Sequence, residues 1–269
     1  MCCLFCAAAP LSGWCAKDIR PLSAKADLKL VRSLHQKKYR DAEGLFLVQG
    51  PKLVAELLAS QWPVRSIYAT ADMADRMHLR DAVVLPPHEL ERLGTLESGN
   101  AVVAVSERPA PSPVAPLGAG ELVMALDGIA DPGNLGTVLR IADWFGVRQV
   151  LCDRGSVEAF NPKCVQASMG AIFRVTVHYV DLVPELDRLR AEGATLYLAS
   201  MEGRNVFEEP LKRPAVLVLG SESHGVSAEV RGLQARTIAI PRVGDAESLN
   251  VAVAGAALCM EFTRQAGTP

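Results

Sequence analysis

From residue 122 onward the chain alternates two hydrophobic patterns. Short apolar runs at 122–126, 149–152, 175–178, 195–199, 215–219 and 237–240 have the length of buried strands. Between and after them, segments 136–145, 162–169, 183–192 and 248–264 carry helical spacing. Strand and helix in alternation predict a mainly parallel α/β sheet with helices on both faces. Upstream, 28–38 has helical spacing and 45–48 reads as a short strand. Pro51 opens a helix through Leu58, at a first-turn position where its missing N–H costs nothing. Residues 64–68, 83–85 and 101–105 read as further strands of a small α/β/α layer. Pro109, Pro111, Pro113 and Pro116, followed by Gly118 and Gly120, mark a linker that favours polyproline II before releasing the chain. The expected organisation is a leader over 1–21, a domain over 22–108, a linker over 109–120 and a second domain over 121–269.

The 269 residues suffice for two domains of ordinary size. The longest apolar runs, 215–219 and 251–260, fall short of the ~18 residues a membrane span needs. Net charge is −2, so the chain as a whole is no electrostatic nucleic-acid binder. The charge is uneven, however. Lys17, Arg20, Lys25, Lys29, Arg32, Lys37, Lys38 and Arg40 face only Asp18 and Asp27 in the same stretch, a local patch suited either to phosphates or to a solvated helix face. Cys2, Cys3, Cys6 and Cys15 crowd the leader, while Cys152, Cys164 and Cys259 lie in apolar segments. A single CxxC at Cys3 and Cys6, without a second pair, predicts no metal site. Buried reduced thiols in a cytoplasmic protein fit better. The leader lacks a basic start and its apolar stretch is brief, so it reads as a disordered extension or an early start codon rather than a signal peptide.

Three polar-glycine clusters follow apolar runs, at the strand ends where open α/β sheets gather ligands. In the first, Asp131-Pro-Gly makes a turn, Asn134 is placed to cap the next helix, and Arg140 lies on that helix. In the second, after the run 216–219, Gly220 would let the backbone pass close to a ligand. Glu222 would orient a polar group, Gly225 permits a left-handed turn, and His224 is expected to be structural. In the third, Ile240-Pro241 leads to Ser248-Leu249-Asn250, where Ser248 and Asn250 are candidate caps of the last helix. The small residues that follow Asn250 predict a closely packed helix.

In order and content these clusters resemble the signature of the SpoU (TrmH-like) RNA 2′-O-ribose methyltransferases of the SPOUT superfamily. The segment 161–171 resembles that family's P-K-x-x-x-A-S-x-G-A stretch, and 44–58 is similar to the ribosomal-protein-like substrate-binding domain that precedes many of its catalytic domains. The resemblance implies a deep trefoil knot at the C-terminus and a homodimer built through the knotted domain. It implies S-adenosylmethionine against Leu219, Gly220, Gly225, Ile240 and Leu249, and candidate catalytic residues Arg140, Asn134, Glu222, Ser248 and Asn250. The first domain would grip RNA, with Lys37, Lys38, Arg40 and Lys52 as candidate contacts; ribosomal RNA is favoured over transfer RNA. Family members usually carry Gly where this chain has Ser223, and Ser tolerates positive φ poorly, so the loop is expected to differ in shape.

Other chemistries fit less well. Gly118 and Gly120 precede a strand instead of following one, and 128–134 lacks the Lys-Ser/Thr ending of a phosphate loop. The Gly220–Gly225 spacing is not that of a nucleophile elbow. The alternatives kept are a transfer-RNA methyltransferase and a non-catalytic RNA-binding assembly factor of the same fold.

Overall fold

The computed structural model describes residues 26–95 and 100–267. The first domain holds α1 (Ala26–Ser33), α2 (Lys37–Glu43), β1 (Leu45–Gln49), α3 (Pro51–Ala59), β2 (Val64–Ala69), α4 (Ala71–Arg76), β3 (Val83–Val84), α5 (Pro87–Leu93) and β4 (Val102–Glu107). Its sheet has the order β1-β4-β2-β3, antiparallel except for β2 with β3. The second domain holds β5 (Leu122–Asp127), α6 (Pro132–Trp144), β6 (Gln149–Asp153), α7 (Pro162–Ser168), β7 (Thr176–Val180), α8 (Leu182–Ala191), β8 (Thr195–Asn205), β9 (Ala215–Gly220), α9 (Ala228–Arg231), β10 (Arg236–Ala239) and α10 (Val251–Ala266). Its six strands, in the order β10-β8-β9-β5-β6-β7, pair in parallel throughout.

The alternation along β5 explains the layers. Leu122, Met124 and Leu126 join one apolar cluster, while Val123 and Ala125 join another with Leu182, Leu186 and Val230 of α8 and α9. Both faces of the sheet are therefore buried, as a parallel sheet requires. The first cluster runs on without a break into the first domain. Phe46 of β1 lies 4.9 Å from Phe160, and Trp62 lies 5.5 Å edge-on from Phe173. The proline-rich stretch is docked: Val114 and Leu117 pack on the second cluster, and the Ala115 N–H donates to Gln149 Oε1 at 2.9 Å.

The expected helix over 28–38 is two helices instead. The chain turns at 34–36, burying Leu34 completely, and α2 restarts from Gln36 in an extended conformation. The break frees the carbonyls of Leu34 and His35, and Arg40 Nη1 donates to both, at 2.7 and 2.8 Å. The cysteine-rich leader, its CxxC and the basic residues Lys17, Arg20 and Lys25 lie outside the described residues.

Candidate functional site

The turn before α6 decides how Asn134 is used. Asp131, not Asn134, caps the helix: its Oδ1 accepts from the Asn134 N–H at 3.0 Å, and Pro132 occupies the first turn. The hydrogen bond from Lys163 Nζ (2.7 Å) holds the Asp131 carboxyl below the ordinary carboxylate range, with the Asn134 N–H adding to it. Relieved of capping, the Asn134 side chain works as an adaptor. Its Nδ2 donates to Glu222 Oε1, and its Oδ1 accepts from Asn250 Nδ2 at 3.0 Å. Asn250 does cap its helix, its Oδ1 accepting from Ala252 and Val253, so the whole Asn250 amide is engaged. Three side chains from three sequence clusters thus meet at the carboxyl ends of β5 and β9 and the start of α10.

Glycines shape this end of the sheet. Gly136 lies where α6 crosses α7: a Cβ there would come 2.4 Å from the Cys164 carbonyl oxygen and 2.7 Å from Ala167 Cβ. A Cβ on Gly220 would come within 2.0–2.3 Å of the Gly225 and Val226 backbone, so the close approach at Gly220 is to its own loop. That loop closes through mutual backbone bonds between Ser221 and Gly225 (2.8 and 3.1 Å), with Gly225 left-handed at φ 66°. Ser223 is not among the residues with positive φ, so serine costs the loop no backbone strain. The Ser227 N–H donates to Asp127 Oδ2 at 2.7 Å, tying the loop's exit to the end of β5.

Of the other expected residues, Leu219 is buried at the end of β9, Ile240 is half-buried just past β10, and Leu249, next to Asn250 in the chain, is half exposed. Residues 241–250 are all exposed, and Val243 presents its whole side chain to solvent. A model of the SpoU rRNA Methylase family matches residues 121–260, and that span contains every one of these groups. The chain belongs to the SpoU rRNA methylase family. A model of the MRM3-like substrate binding domain matches residues 25–114. The 23S rRNA (guanosine(2553)-2′-O)-methyltransferase RlmP of Bacillus subtilis is 31% identical, with 84% of this chain and 92% of that protein aligned. Among solved structures, a TrmH-family protein from Porphyromonas gingivalis superposes with a TM-score of 0.81 at 40% identity, covering 91% of this chain and 99% of the other. The SpoU methyltransferase AviRb from Streptomyces viridochromogenes, in complex with AdoMet, gives a TM-score of 0.80 at 28% identity, covering 89% and 97%.

Within this SpoU scaffold the remaining expected residues are dispersed. Arg140 is exposed on α6, one turn before Trp144, and its side chain bonds to no described residue. Ser248 is exposed and caps nothing; the cap belongs to Asn250. His224 is an exposed loop residue whose Nδ1 lies 2.7 Å from Ser223 Oγ and whose N–H donates to Ser221 Oγ at 3.2 Å, contacts that stay within the loop. Of the expected RNA contacts, Lys52 is exposed, Lys37 pairs with Asp41 at the surface, and Lys38 lies 4.7 Å above the Tyr39 ring. Arg40 must be withdrawn from that set. It is 2% exposed, and its guanidinium is consumed by Glu158 and the two carbonyls at the helix break. Sequence reasoning missed Asp131 as the cap, although an acid directly before a helix-opening proline signals one. It also missed Glu158, which has no local signal because its partners are distant in the chain.

Proposed function

We propose that this protein transfers a methyl group from S-adenosylmethionine to a ribose 2′-hydroxyl of RNA, with large-subunit ribosomal RNA as substrate. The observation that carries the reading is the Asn134–Glu222–Asn250 contact, which unites the three clusters in one exposed polar site. The SpoU match, the AdoMet carried by AviRb and the activity named for RlmP support the reaction. The 23S rRNA named for RlmP, aligned over 84% of this chain, favours ribosomal over transfer RNA.

The residues present fit the cofactor. No backbone N–H from 242 to 249 bonds to a described residue, and Leu249 and Val243 in the same segment offer uncovered apolar surface. That combination suits a purine nucleoside, which needs donors at its edge and apolar contact on its face. Leu219, Gly220, Gly225, Ile240 and Leu249 would hold it, the glycines through the shape of the 220–225 loop. The sulfonium brings an already activated methyl group. The protein's own task is then to orient the ribose and manage the hydroxyl proton. Asn134, clamped at both ends of its amide, would fix the direction of the Glu222 carboxylate toward the ribose, with Ser248 and Asn250 completing the rim. A guanidinium only donates hydrogen bonds. Arg140, whose side chain has no partner among the described residues, would therefore grip a substrate phosphate and stabilise the developing alkoxide instead of acting as a base.

Lys37, Lys38 and Lys52 would contact the RNA backbone from the first domain. The C-terminal segment would be threaded as a trefoil knot; support comes from Gln265 of α10, whose side chain bonds to Val206, Glu209 and Leu211 of the segment that follows β8. A homodimer through α6 and α10 is supported by the exposed Trp144, Val253 and Met260 on these two packed helices. A cytoplasmic setting is supported by the buried free thiols Cys152, Cys164 and Cys259, the last pushed up to about 12 by burial. No described helix is long and apolar enough to cross a membrane.

Calorimetric titration with S-adenosylhomocysteine, paired with a methyl-transfer assay, tests the site. The wild type binds the product cofactor, and Arg140→Ala keeps that affinity while losing transfer. Failure of the wild type to bind would leave only an RNA-binding scaffold, and loss of binding in Arg140→Ala would make Arg140 structural.

A further inference from the structure

Between the two domains lies a buried ion cluster that the methyl-transfer chemistry does not use. Glu158, in the loop between β6 and α7, has a side chain 11% exposed and is held by two arginines of the first domain. Arg40 Nε donates to its Oε1 at 2.5 Å, with Nη2 also in contact, and Arg108 Nη2 donates to its Oε2 at 3.3 Å. Arg108 also bonds Asp41 at 2.8 Å and stacks 5.0 Å above Phe160, which itself packs on Phe46. A buried ion pair is tolerable only when its remaining donors are satisfied, and Arg40 meets that condition through the Leu34 and His35 carbonyls. The cluster ties the loop to the first domain.

From Glu158 two hydrogen-bonded routes lead to the turn that presents Asn134. On one side, the Val157 N–H donates to the Ile129 carbonyl at 2.8 Å and the Ile129 N–H donates to Ser156 Oγ at 3.0 Å. Ser156 Oγ donates to Asp153 Oδ1, which also accepts from the Gly128 N–H at 2.8 Å. On the other side, the Asn161 N–H donates to the Glu158 carbonyl at 3.2 Å. Asn161 caps α7, whose Lys163 reaches Asp131 at 2.7 Å, and Asp131 accepts from the Asn134 N–H. A further ionic link between the domains among the described residues, Arg174 with Glu56 (2.5 Å) and with Asp143 at the far end of α6 (2.9 Å), is half exposed and joins neither hydrogen-bonded route.

We propose that Glu158, clamped by Arg40 and Arg108, is a positioning residue that makes the active geometry of the Asn134 turn depend on how the RNA-binding domain is seated. The inference rests on the methyltransferase reading above and adds a coupling between substrate domain and site.

The test uses the full chain, labelled S-adenosylmethionine and transcribed large-subunit ribosomal RNA, with amide hydrogen exchange as a readout independent of activity. In Glu158→Gln and Arg108→Ala, exchange at Ile129 and Asn134 should quicken roughly 10-fold. In both, kcat should fall roughly 10-fold or more, as expected of a displaced reacting group. The KM for RNA and the affinity for S-adenosylhomocysteine should stay within about two-fold, since neither contact set is altered. Arg108→Lys should recover part of the loss, and Glu56→Gln, which breaks only the other interdomain link, should match the wild type. Unchanged exchange over 128–134, a rise in KM alone, or an equal effect in Glu56→Gln would overturn the proposal. Should Glu158→Gln not fold, Arg108→Ala decides, because it leaves the Arg40–Glu158 pair intact. A wild type that transfers no methyl to RNA refutes the enzymatic reading, while the exchange measurements still decide the coupling.

Discussion

Asn134 is useful because Asp131 has taken over the work of capping. The side chain of a cap is spent on backbone N–H groups. With Asp131 in that role, Asn134 turns its donor toward Glu222 and its acceptor toward Asn250. Loss of the cap in Asp131→Ala is expected to cost about 1 kcal/mol, with little added by the half-exposed Lys163 pair. The pH dependence follows from the direction of the shift. The folded-state carboxyl is lowered below 3.8, so its stabilisation is fully present above the unfolded value and is lost as pH falls through the folded one. The difference in Tm between wild type and Asp131→Ala should therefore be constant near neutrality and narrow below about pH 4; a gap that widens in acid would contradict this assignment. From the sequence Asn134 alone reads as the cap, with Asp131 only part of the turn before it, although an acid directly before a helix-opening proline carries the same signal. The choice between them depends on where Glu222 lies in space, 88 residues further along the chain.

At the scale of elements, the second domain was legible because its strands are buried on both faces and its helices follow each strand in turn. All six strands and the four main helices appear within a few residues of the expected bounds, except that β8 runs on to Asn205. There its register with β10 slips, and Gly203 lets the Ile238 backbone pass where a Cβ would collide. The first domain was less legible. Its helices α4 and α5 are too short for a clear period, although Thr70 caps one and Pro87 opens the other. The break between α1 and α2 is stabilised by Arg40 and Glu158, a tertiary contact no local pattern announces. Gly136 likewise reads as part of a polar motif, while its structural need is the α6–α7 crossing. Gly136→Ala forces a methyl against the Cys164 carbonyl and Ala167, and overpacking of this kind costs about 1–3 kcal/mol. Chemical denaturation should show that loss; an unchanged midpoint would mean that the two helices separate freely.

At the scale of the molecule, one apolar cluster spans both domains, so the first domain and the SpoU domain are packed together and not merely tethered. The exposed face of α6 and α10 is the proposed dimer surface, with Trp144 83% exposed in the single chain. Trp144→Glu should shift sedimentation from dimer to monomer, and a wild type that sediments as a monomer would refute the dimer. Methyl transfer to a ribose is what the whole molecule is proposed to carry out. Purified protein incubated with methyl-labelled S-adenosylmethionine and large-subunit ribosomal RNA, followed by digestion to nucleosides, measures it directly. The predicted result is label confined to a 2′-O-methylated ribonucleoside; label on a base, or none in RNA under conditions where S-adenosylhomocysteine binds, would contradict it.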